Sequence, residues 1–218
     1  MALAALPRRD DEARAHLDDA ARRARPVVPA GERILLVPGE LGELIPGGAV
    51  QRGAVVAVGG APGAGATSVA LRLAAAATAA GEWVAAVEPG GSLGGLAAAE
   101  AGVTLERFAV VRWVPPARWA TVVATLLDGV SLVLAEVPRH ARAGDARRLA
   151  ARARERGAVL VAMGDWPAEV ALRLRAEGSS WRGLDAGGGL PAERSLPVRV
   201  EGRGRAERAR GGDLARAG

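Results

Sequence analysis

The sequence predicts an α/β domain with a mostly parallel central sheet flanked by helices. Short apolar runs alternate with longer helical stretches from residue 30 onward, and glycine-rich turns separate them. The run Ala54 to Val58 leads through GGAPGAGATS (59–68) into an alanine-rich helix, a strand, glycine loop and helix in succession. At 218 residues the chain also has the length for one domain, which at about 150 to 200 residues buries roughly 70% of the surface its unfolded form exposes.

The elements follow in order. Residues 10–25, DDEARAHLDDAARRAR, place acids in the first turn and arginines in the last, which suits a helix dipole, and Pro26 ends the helix. Its apolar stripe is thin, so residues 1–29 are expected to form a terminal helix and linker. Strands are expected at Ile34–Val37, Ala54–Val58, Trp83–Val87, Phe108–Val111, Leu132–Ala135, Val159–Met163, Ala171–Ala176 and Leu196–Val200. Helices are expected at Thr67–Ala80, Gly94–Ala101, Arg118–Leu127 and Asp145–Arg156, the last capped by Gly157. Residues 30–202 thus make the core domain. Residues 203–218 lack apolar periodicity and read as a mobile basic tail.

Composition excludes several classes. There is no cysteine, so neither a disulfide framework nor a thiolate metal site can form, and His16 and His140 are far apart in sequence. The opening MALAALPRRDDE is too short in apolar residues for a signal-peptide core, and later apolar runs are interrupted before membrane-spanning length. A soluble, cytoplasmic protein is expected. All 29 basic residues are arginine and the net charge is +5. That charge permits weak, salt-dependent DNA contact, although a GC-rich coding bias gives arginine-rich surfaces without that purpose.

The glycine loop has phosphate-loop spacing: Gly60, four residues, Gly65, then Ala66, Thr67 and Ser68, with Gly63 inside. Such glycines let backbone amides curve around phosphate at a helix start, and Thr67 stands where a hydroxyl would ligate magnesium. Ala66 stands where the lysine belongs. Loss of such a buried charge partner costs on the order of 2 to 5 kcal/mol, roughly thirty- to several-thousand-fold in affinity. No lysine exists elsewhere to replace it, and Arg72 lies six residues into the helix. Catalysis is therefore not expected, and ATP and magnesium binding should be weak or lost. A tight turn alone would also explain the glycines.

Three further segments carry a family resemblance. WVAAVEPG (83–90) resembles the RecA-family strand that ends in a water-activating glutamate, here Glu88. DGVSLVLAEVP (128–138) is similar to the family's second acidic strand, with Glu136 in the place of a magnesium-holding aspartate. PGELGELIPGGAVQRGAVVAVGG (38–60) is similar to the segment leading into the family's phosphate loop. Residues 34–202 therefore resemble a RecA-like P-loop core, with both glutamates as vestigial candidates. After Val159–Met163 the chain has Gly164, Asp165, Trp166 and Pro167 where RecA has a longer DNA-binding loop.

These losses are similar to the ImuA subgroup of RecA-like accessory proteins. The resemblance implies a non-catalytic, nucleoid-associated adaptor of the SOS response in translesion synthesis. Its implied partners are a Y-family polymerase homologue and an error-prone replicative-type polymerase, with RecA also a candidate. A weak DNA-dependent ATPase and a SulA-like cell-division inhibitor are the alternatives. Among other residues, Trp83 is expected in the core. Trp113, Trp119 and Trp166 lie beside prolines and are expected as exposed partner anchors. The arginines from 142 to 156 fit a solvated helix face.

Overall fold

The computed structural model describes residues 33–91, 93–182, 193–202, 210–214 and 216–217. The expected helix at 10–25 lies outside them. Strand β1 (Ile34–Leu36) pairs antiparallel with β2 (Ala49–Gln51), and helix α1 (Gly39–Leu44) lies between them in sequence. The alternating series follows: β3 (Val55–Gly60), α2 (Ala66–Ala79), β4 (Val84–Glu88), α3 (Gly95–Glu100), β5 (Phe108–Arg112), α4 (Pro116–Gly129), β6 (Leu132–Glu136), α5 (Ala143–Arg156) and β7 (Val159–Met163). Last come β8 (Leu172–Ala176), β9 (Ser180–Arg182), β10 (Glu193–Ser195), β11 (Pro197–Gly202), β12 (Arg210–Asp213) and β13 (Arg216–Ala217).

The central sheet has eight strands in the order β12, β11, β8, β3, β7, β6, β4, β5. The six from β8 to β5 are mutually parallel, whereas β11 pairs antiparallel with both β8 and β12. Parallel strands covered by helices on both faces need apolar residues at successive positions, which is why LVLA in β6 is buried throughout. Alternate side chains feed two cores. Val56, Val58, Leu132 and Leu134 pack with Val69 and Leu73 of α2, while Val55, Ala57, Val133 and Ala135 pack with residues of α4 and α5. Full burial of one such Val or Leu contributes about 1.5 to 3 kcal/mol.

Local signals set the boundaries. Pro116 opens α4 at a position whose N–H has no helical partner. Gly157 ends α5 in the left-handed region, at φ 69°.

The expectation of a mobile tail over 203–218 is corrected for residues 210–214. Strand β12 pairs with β11, Leu214 is fully buried, and the Asp213 carboxylate accepts a 2.6 Å bond from the Leu196 amide. One leucine and one aspartate anchor a segment whose low apolar content conceals it. Residues 203–209 lie outside the described set.

Candidate functional site

The glycine loop joins β3 to α2 at the C-terminal edge of the parallel strands, where ligands bind open α/β sheets. Gly60 sits against the neighbouring strand, so a Cβ there would come within 2.6 Å of the Ala176 carbonyl oxygen. Gly63 has φ 79°, and the Ala64 amide donates to the Ala61 carbonyl across the loop's turn at 2.9 Å. Gly65 caps α2 at φ 104° with no side-chain cap. The amides of Ala66, Thr67 and Ser68 in the first turn lack helical acceptors and carry the positive end of the dipole. Residue 66, the first of this helix, has only a methyl side chain.

A second element meets this helix start. Arg194, on β10, donates from Nη1 to Ser68 Oγ at 2.9 Å. Its guanidinium also lies 5.7 Å from the Trp181 ring centroid, a cation–π arrangement set by the antiparallel Trp181–Arg194 register. Leu196 covers the same spot: a Cβ on Gly65 would come within 2.4 Å of Leu196 Cδ1 and 3.0 Å of Arg194 Nη2. Sequence reasoning missed Arg194 because 126 positions separate it from Ser68 and no spacing rule links them. Arg72, the nearer arginine, instead pairs with Glu40 at 3.3 Å.

Glu88 and Glu136 end neighbouring strands, since Val87 pairs with Ala135 one position earlier. Their surroundings differ. Glu88 is buried at 2% exposure with the Arg112 Nε 4.0 Å from Oε2, whereas Glu136 is exposed and borders a cavity beside α4 and α5. Arg112 is held in turn by a 2.7 Å bond from Nη2 to the Leu93 carbonyl. A buried carboxylate beside a guanidinium serves a structural ion pair as readily as a reactive site.

The model of the MT3502 N-terminal domain family matches residues 43–168, more than half of the chain. The chain belongs to that family. No curated protein matches the sequence. The MT3502 N-terminal domain segment runs from within α1 to just beyond β7, so it holds the glycine loop, Glu88 and Glu136, while Trp181 and Arg194 lie outside it.

Within the MT3502 N-terminal domain segment, two of three expected surface tryptophans prove to be core. Trp119 is 2% and Trp166 5% exposed, and their rings meet edge to face at 6.5 Å. Trp119 shares the inner stripe of α4 with Val123 and Leu127, at i, i+4 and i+8. Trp83, expected in the core, is 52% exposed because it precedes the first residue of β4. Only Trp113 of the expected anchors is open, at 75% exposure. Its φ of 59° is a left-handed conformation that a bulky residue adopts at a cost of about 1 to 3 kcal/mol.

Proposed function

We propose that this chain is a RecA-like P-loop domain without ATPase activity, acting as an ImuA-type accessory protein in DNA damage tolerance. One observation carries the reading. The glycine loop keeps its curvature while Ala66 replaces the phosphate-neutralising lysine and Ser68 is engaged by Arg194. In this reading Ala66 gives the loop no ammonium for a nucleotide's phosphates, and Arg194 is occupied by Ser68 and the Trp181 ring.

The sheet order supports a P-loop core, since the glycine-loop strand lies among parallel strands and the two glutamate strands are neighbours. A fold retained without its chemistry is retained for its surfaces. The proposed partners are a Y-family polymerase homologue and an error-prone replicative-type polymerase. Trp113, the most exposed tryptophan among the described residues, is the proposed aromatic anchor for them, and DNA contact rests on surface arginines and is weak.

Deletion of the gene tests this reading. Damage-induced mutation and survival should fall while undamaged growth is unaffected. Normal mutation combined with failure to arrest division after damage would transfer the assignment to a SulA-like division inhibitor.

A further inference from the structure

We propose that the open edge of β5 is a self-association surface, on which a second copy of this chain adds its own β5 antiparallel across a two-fold axis at Ala109. The inference rests on the sheet and does not depend on the reading above.

The two edges of the central sheet differ. β5 is the last strand at one end and, among the described residues, is paired only with β4. Its other side presents the N–H and C=O groups of alternate residues, a template for one more strand. Native edges are commonly blunted by proline, lysine, a bulge or a covering element. The sequence FAVVR has no proline or lysine, pairs with β4 in unbroken register, and carries charge only at Arg112. None of its five residues is buried, and Ala109 is exposed. β12, at the other end, reads RGGD, two glycines between two charges, which is the composition of a blunted edge. An antiparallel strand on a parallel series also has a precedent in this sheet, because β11 pairs with β8 in that way.

Charge complementarity selects a second copy as the occupant. A two-fold axis makes each pair of opposed residues occur twice. With the axis at Ala109, Phe108 faces Val110 of the second copy. The next positions outward bring Arg107 to Val111 and Glu106 to Arg112, from the short helical turn Leu105–Arg107 that leads into β5. The junction is thus apolar at its centre with an opposite-charge pair at each end, and both kinds of cross-strand pair are stabilising. Moving the axis half a residue toward Val110 would set Arg107 against Arg112, so charge fixes the register. The methyl side chain of Ala109 leaves room for its own copy on the axis. Pairing ends at Arg112, because Trp113 leaves the strand at φ 59° and its ring lies beside Gly91, where a Cβ would come within 3.4 Å of Cη2. Trp113 therefore stays available for the contact proposed above.

The test is sedimentation velocity of the full chain, which should show a reversible equilibrium between monomer and dimer. Ala109→Arg places two guanidinium groups at the axis and should weaken the dimer about tenfold or more without lowering the melting temperature. Glu106→Arg, which opposes Arg112, should weaken it too and serves as the second variant should the first not fold. The chain has no cysteine, so a single introduced one reports the register. Opposed Cα atoms of an antiparallel pair lie about 4.5 to 5.5 Å apart, within disulfide reach. Mild oxidation should therefore convert Ala109→Cys into a covalent dimer faster than Ala151→Cys, which is exposed on α5. The proposal is overturned if the chain stays monomeric up to its solubility limit or assembles beyond a dimer. It is equally overturned if neither charged variant weakens the dimer, or if Ala109→Cys cross-links no faster than Ala151→Cys.

Discussion

Arg194 reaches from β10 to the start of α2 and donates to Ser68 Oγ at 2.9 Å, two positions after Ala66. A guanidinium there lies against the positive end of the helix dipole, so the contact is held by the Trp181 face and the Ser68 bond. An ammonium introduced at residue 66 would share this space with it. Ala66→Lys should therefore raise ATP affinity less than Ala66→Lys combined with Arg194→Ala. The double variant should gain roughly thirtyfold or more over the parent, measured by equilibrium binding of a fluorescent ATP analogue. No gain in either variant would mean that the loop holds no phosphate.

The tryptophans separate stability from surface function. Trp119→Ala should cost about 3 to 5 kcal/mol in denaturant unfolding, because it empties the inner face of α4 and removes the ring contact with Trp166. Trp113→Ala should change stability by less than about 0.5 kcal/mol. Trp113 is consequently the variant with which to probe the proposed polymerase contact in a pull-down.

Residues 210–214 make a similar contrast. Leu214 is fully buried and its amide donates to the Leu196 carbonyl at 3.0 Å. Leu214→Ala should lower stability by about 2 to 5 kcal/mol. Truncation after residue 209 should lower it at least as far, because β12 is lost as well. A truncated chain that melts like the parent would contradict this packing.

Most of the fold was legible in the sequence because the parallel strands are continuous apolar runs bounded by glycines. Val159–Met163 agrees residue for residue, and the helix after the glycine loop is displaced by one position at each end. The edge elements were not legible. β12 reads RGGD and has no apolar residue of its own, so only its neighbour Leu214 marks burial. Trp119 is expected at the surface because prolines precede it, although it lies within the expected helix and on the same face as Val123 and Leu127, which is buried. Arg194 lay beyond any local rule, since its role arises from strand pairing that brings it against Trp181 and then onto α2.

Asp128 offers a pH readout on the α4 to α5 surface. A hydrogen bond from Arg152 is the main cause that holds its carboxyl below the usual range, with the charges of Arg152 and Arg156 adding to it. A lowered folded-state value means that the pair stabilises the fold above the unfolded carboxylate range. That contribution disappears as pH falls through the folded value. The melting-temperature difference between the parent and Asp128→Asn should therefore be small near neutrality and shrink toward zero in acid. A difference that grows as pH falls would oppose the assignment.

Steady-state ATP hydrolysis by the purified chain, with and without single-stranded DNA, tests the central claim most directly. Ala66 supplies no charge to the phosphates, so turnover should equal the protein-free background in both conditions, and Glu88→Gln should leave it unchanged. DNA-stimulated turnover that Glu88→Gln abolishes would contradict the account and make the chain an active ATPase.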